Sequence, residues 1–161
     1  MSLEQDISKW LVDAEKVLVN NYKSFGLRAS GNWERELESK IEKSQFRIKA
    51  SILGAKYTGA MNEGRKANLK QDDQSIHAFV GWAGSTFLDK WVKDKGISAN
   101  PFAVAYKIAR EGVKVPNKYN AGNFVDKAID DKMVQSLIDI VKFNYEVTLK
   151  SEIIGEFKNG N

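Results

Sequence analysis

Apolar residues recur at three-and-four spacing over the first 25 positions of the chain: Leu3, Ile7, Trp10, Leu11, Ala14, Val17, Leu18, Tyr22 and Phe25. That period predicts an amphipathic helix over residues 1–25. Its ends are marked as well. Ser2 and Gln5 have capping-box spacing, Glu4 and Asp6 suit the positive end of the helix dipole, and Gly26 offers a left-handed stop.

The period then changes to two. Phe46, Ile48, Ala50 and Ile52 alternate with Arg47, Lys49 and Ser51, the repeat of a half-buried strand. Residues 33–42 carry Trp33, Leu37 and Ile41 four apart, which is compatible with a helix. A strand is preferred there, because the polar residues 42–45 form a hairpin connection to Phe46. A third strand is expected around Tyr57 between Gly54 and Gly59, completing an antiparallel meander over residues 26–64. Residues 66–75, with Asp72 and Asp73, lose all periodicity and read as an exposed loop.

Helical punctuation dominates the remainder. Thr86 and Asp89 cap a short helix with the stripe Phe87, Leu88, Trp91 and Val92, ending at Gly96. Asn100 and Pro101 start the next, ending at Gly112. Asn123 with Asp126 opens a closing helix from Phe124 to about Ile153. Its apolar set, including Ile129, Met133, Val134, Leu137, Ile138, Ile140, Val141 and Tyr145, covers more than half the circumference. A surface helix needs a stripe only roughly 100° wide. The excess calls for two packing partners, expected to be the sheet and a neighbouring subunit that meets Val134, Ile138, Val141 and Tyr145.

The expected fold is therefore α+β in one domain over residues 1–161. A long N-terminal helix (1–25) is followed by a three-stranded meander (26–64), a loop with an insertion (65–85), and a part with two short helices and a long C-terminal helix (86–161). At 161 residues the chain can bury a real core, and 42% hydrophobic with 29% charged residues is ordinary for a globular protein. There is no cysteine, which excludes disulfides and thiolate metal sites and suits a reducing cytoplasm. No secretory pattern opens the chain, and no apolar run approaches the roughly 20 residues of a membrane span. A net charge of +4 gives at most weak attraction to polyanions.

Candidate chemistry is sparse. His77 is the single histidine and has no second histidine and no cysteine to complete a metal site. The run Gly59-Ala60-Met61-Asn62-Glu63-Gly64-Arg65-Lys66 imitates a phosphate loop, but its lysine is one place late and no magnesium-binding hydroxyl follows. Asp72-Asp73 and Asp130-Asp131 read as solvated surface. Trp10 and Trp91 lie on core stripes, whereas Trp82, with glycines at 81 and 84, is free to meet a partner.

Three pieces, in order, carry a family resemblance: Tyr57-Thr58-Gly59-Ala60-Met61-Asn62-Glu63-Gly64-Arg65, then Lys90-Trp91-Val92-Lys93-Asp94-Lys95-Gly96-Ile97, then the helix from Ala103 through Ala105 and Ile108 to Gly112-Val113. With Gly26-Leu27-Arg28-Ala29-Ser30 before them and Phe124 after, the set resembles the neck or tail-completion proteins of tailed bacteriophages. The likeness covers about residues 26–30 and 57–130. It implies a virion protein of the head–tail junction, made in the host cytoplasm, without catalysis, metal or cofactor. Such proteins form homo-oligomeric rings between portal-side connector and tail proteins, around the DNA channel. A tail terminator or head-closure protein of the same junction, and a small basic nucleic-acid-binding module, are the alternatives. Two departures stand out: the family's glutamate falls on Asn62, and residues 77–85 are an insertion. Arg65, Lys66 and Lys70 are candidates to face the channel, and Trp82 is a further candidate for subunit contact.

Overall fold

A computed structural model describes residues 2–45 and 47–159. Helix α1 spans Leu3–Ser24, and the capping box is complete: the Ser2 hydroxyl accepts from Gln5 N while Gln5 Oε1 accepts from Ser2 N. Gly26 closes the helix, with Leu27 N bonding back to Tyr22 O. The buried face of α1 is Ile7, Leu11, Ala14, Leu18 and Tyr22, the predicted stripe.

The segment predicted as one strand over 33–42 divides in two. Asn32–Arg35 is a single helical turn, α2, and the strand β1 runs Glu38–Ser44. Tertiary contacts explain the division. The Glu34 carboxylate lies between Lys23 and Arg28, tying the turn to the end of α1. Trp33 is driven into the core, where its ring stacks on Tyr22 at 4.5 Å and meets Phe124 edge-on at 5.2 Å. Its indole N–H donates to Thr58 Oγ1, so the buried donor is satisfied.

Strand β2, Arg47–Leu53, pairs antiparallel with β1 from Ser44↔Arg47 to Glu38↔Leu53. Ile48, Ala50 and Ile52 are half-buried while Arg47 and Lys49 are exposed, as the alternation required, and Ser51 departs from it by being half-buried. Phe46, the first residue of that alternation, lies outside the described residues.

The sheet has two strands, not the three expected. From Tyr57 onward the backbone makes helical bonds, Met61 N to Tyr57 O and Gly64 N to Ala60 O, and Thr58–Glu63 forms the short helix α3. Local helical bonding leaves no extended edge there to pair with β2.

The expected loop over 66–75 is shorter than predicted, because Asp72 caps a helix, α4, that begins at Asp73 and runs to Ala83. Residues 77–85, read as an insertion, are nearly all helical. Thr86 does not start a helix either: α4 passes through a π-turn over Gly84–Leu88 directly into α5, Asp89–Asp94. The wide turn coincides with a close helix crossing, since a Cβ on Gly84 would stand 2.5 Å from the Phe102 ring of α6, Pro101–Glu111. Ala83, Leu88 and Ala105 form the second core cluster, with Trp91 and Ile108 against it.

The predicted closing helix is also interrupted. Phe124–Ala128 forms α7, the chain turns at Ile129 (ψ 64°), and α8 runs Asp131–Asn159 with the Asp130 side chain accepting from Met133 N. Helix α8 lies against α1, not the sheet as predicted. No described helix is long and apolar enough to cross a membrane.

Candidate subunit interface

Helix α8 runs antiparallel to α1. Trp10 Nε1 donates to Met133 O and Ser136 Oγ, and two turns further along Asn144 Nδ2 donates to Asp6 Oδ2. Only three residues of α1 precede Asp6, whereas fifteen of α8 follow Asn144. At about 1.5 Å per residue, α8 projects roughly 18 Å beyond the start of α1.

Around its circumference α8 divides into four sectors, at about 100° per residue. Met133, Leu137, Ile140 and Asn144 are half-buried and mark the side toward α1. Lys132, Asp139, Lys142, Glu146 and Lys150 gather on the opposite side, in a sector about 80° wide. Two apolar flanks lie between. Val134, Ile138, Val141, Tyr145 and Leu149 form one, 43, 41, 40, 69 and 45% exposed, with Glu152 at its far end. Phe143, Val147 and Ile154 form the other, 66, 52 and 54% exposed. The first flank was predicted from sequence as far as Tyr145. The second was not, because an apolar set that covers more than half the circumference does not say which of its sides α1 leaves open.

The remaining predicted residues separate into packing and surface groups. Gly64 and Gly112 face one another across the bridge in which Arg65 N donates to Val113 O and Val113 N to Arg65 O. A Cβ on Gly64 would stand 2.3 Å from Val113 O, and one on Gly112 2.2 Å from Arg65 O, so both positions need glycine. Their positive φ angles, 91° and 75°, require it equally. Two of the three motif pieces therefore meet at this crossing. The third joins them through Trp91, which packs on the cluster around Ala105. Gly96 ends α5, with Ile97 N bonding to Val92 O. Phe124 is fully buried, and Tyr57 is partly exposed at the start of α3.

Arg65 is committed within the fold. Its guanidinium bonds to Ile108 O, Lys66 O and Asn68 Oδ1 and lies 4.4 Å from the Phe79 ring centre. Asn68 N and the Gln71 amide both reach Ala109 O, so the segment after Arg65 supplies donors to the last carbonyls of α6. Lys66 and Lys70 point outward from this pinned segment, beside a fully exposed Leu69. Of the three candidates to face a channel, the two lysines present their charge to solvent.

Asn62, at the family's glutamate position, is buried and caps a helix distant in sequence. Its Oδ1 accepts from Val125 N, its Nδ2 donates to Asp126, and its carbonyl accepts from Asn123 N. The expected local cap is absent, since the Asn123 side chain makes no capping bond to α7. Asn62 supplies it across 63 positions of sequence.

No family model, curated protein or solved structure matches the chain.

Trp82 is 58% exposed and stands in a row of aromatics. Its ring meets Phe79 at 6.0 Å and Phe87 edge-on at 5.4 Å. The π-turn brings residues 82 and 87 over one another, a contact that regular α spacing does not produce. A hollow of about 430 Å³ lies between the ends of α1 and α5, lined by Phe25, Trp91, Ile97 and Tyr119 among others. The Lys95 amine donates to Gly26 O there, and burial holds it below the usual lysine range. Among the described residues no group of three or more His, Asp or Glu side chains could hold a metal ion.

Proposed function

We propose that this chain is a non-enzymatic structural subunit of the head–tail junction of a tailed bacteriophage, a neck or tail-completion protein that assembles with copies of itself into a ring. The ring joins the portal-side connector to the tail, and DNA passes through its channel. The single observation that carries assembly is the surface of α8, where eight large apolar side chains on two flanks stand 40 to 69% exposed. Exposed apolar patches of this kind mark interaction sites.

The assignment to the junction rests on the resemblance of the ordered motifs. It is supported by the way those motifs work together as one packing unit around the Arg65–Val113 crossing. Lys66 and Lys70 suit a channel wall, because two scattered lysines repel no DNA and grip it weakly.

Native mass spectrometry across a dilution series tests assembly. A closed multiple of the subunit mass is expected, and a strict monomer at every concentration overturns the reading. DNA retention in increasing salt tests the competing class. No retention at physiological salt is expected, whereas tight binding that falls steeply with salt would identify a nucleic-acid-binding module instead.

A further inference from the structure

Beside the last turn of α1, at the end of that helix away from the α8 projection, the chain folds two arginines over one glycine. Gly31 lies in the left-handed region at φ 74° and is itself buried. The point where its Cβ would stand is 3.6 Å from Nη2 of Arg28 and 3.6 Å from Nη1 of Arg35, so these two nitrogens are at most about 7 Å apart.

Each guanidinium is held in place by a neighbour. Arg35 Nη2 donates to Asn32 Oδ1, and Arg28 Nε stands 2.9 Å from Glu34 Oε1, a charge contact without hydrogen-bond alignment. The backbone beneath is fixed by Trp33, buried against Tyr22 and Phe124. Among the described residues, the two nitrogens nearest Gly31 donate to no protein acceptor. Charge is out of balance at the same place. Lys23, 3.2 Å from Glu34 Oε2, shares that one carboxylate with Arg28, and among the described residues no acidic side chain lies within 4 Å of Arg35. Three cations therefore surround one anion, and two guanidiniums converge against their mutual repulsion.

We propose that Arg28 and Arg35 form a binding site for a phosphate group, either the inorganic ion or a monoester carried on a larger molecule. The unbalanced charge matches such a group, which carries about −1.5 to −2 near neutral pH. Its shape matches as well. Hydrogen bonds of about 2.8 Å from each guanidinium reach separate oxygens of one tetrahedral group across a gap of this size. A carboxylate has two oxygens and fills one fork, whereas a phosphate has oxygens enough for both. Arginine, with its flat and rigid fork, is the side chain that suits this ligand, and lysine at either position would offer only a point charge. The site goes beyond the ring reading and stands whether or not the chain assembles.

Nitrogen-15 NMR at neutral pH and constant ionic strength tests it, with inorganic phosphate, phenyl phosphate and acetate as probes. Inorganic phosphate is expected to give saturable shifts at the Gly31 amide and at the Nε–H signals of Arg28 and Arg35. Arg35→Lys, which keeps the charge and loses the fork, weakens affinity about tenfold. Arg28→Lys gives a similar loss, and an unchanged Trp33 indole signal shows that both variants keep the fold. Lys150→Gln, which removes one charge at the far end of α8, leaves the affinity as it was. No saturable shift, equal affinity in both arginine variants, or an equal loss in Lys150→Gln overturns the site. Acetate binding as tightly as phosphate overturns the choice of ligand in favour of a carboxylate. Phenyl phosphate separates the two sources: binding at least as tight as the inorganic ion's is expected for a monoester on a larger molecule, and binding by the inorganic ion alone for free phosphate.

Discussion

Gly112 sits at φ 75° and ψ −165°, a region that essentially only glycine occupies, and its missing Cβ makes room for the Arg65 carbonyl. Gly112→Ala is expected to lose about 3 kcal/mol or more of stability, read as a lowered urea midpoint, because backbone strain and a clash with rigid backbone act together. Both glycines are visible in the sequence as punctuation. Their shared purpose is not, since nothing in the spacing of Gly64 and Gly112 says that the two strands of chain cross there. Asn62 makes the same point. As a sequence position it is a departure from a motif, and only the folded chain brings it beneath Val125, where its side chain replaces a cap that Asn123 fails to provide.

Elements whose periodicity is strong and whose caps are local were legible. α1 and its capping box, the β2 alternation, the start of α6 at Asn100-Pro101 and the stops at Gly96 and Gly112 all follow from residues within one turn of each other. The errors fall where a distant partner decides. Trp33 leaves the strand pattern to stack on Tyr22, and the continuation of α4 through a π-turn follows the close crossing with Phe102. The break before α8 has its own local signal in Asp130, whose carboxylate accepts from Met133 N. Asp130→Ala is expected to cost about 1 kcal/mol and to lower the melting temperature by a few degrees, as loss of an N-cap does. Unchanged melting would show that α1 alone holds the first turn of α8.

For the whole molecule, the decisive feature is an element longer than its support. Burying eight half-exposed side chains is worth roughly 1 kcal/mol each. Bringing two copies together costs about 4 to 15 kcal/mol. The two are comparable, so in the proposed ring an isolated contact is marginal, and closure, which gives every copy two, is what holds it together. Ending the chain at Leu149 removes the outer part of the projection, including Ile154, without touching the bonds from Trp10 and Asp6 to α8. The shortened chain should melt within a few degrees of the full one and assemble less completely, by native mass at matched concentration. A shortened chain that forms the same assembly at the same concentration would place the ring contact elsewhere, with the Trp82 row the next surface to alter.

The sequence by itself determined that the chain is α+β with long helices at both ends and that the last helix carries more apolar surface than one partner covers. These are properties of local periodicity and capping, which act over a few residues. Tertiary structure decided how that surface is shared, because which side of α8 meets α1 depends on Trp10 and Asp6 lying alongside Ser136 and Asn144. It also decided that the second flank stays open. A hydrophobic pattern records which residues avoid water, and only three-dimensional packing assigns the neighbour that shields each of them.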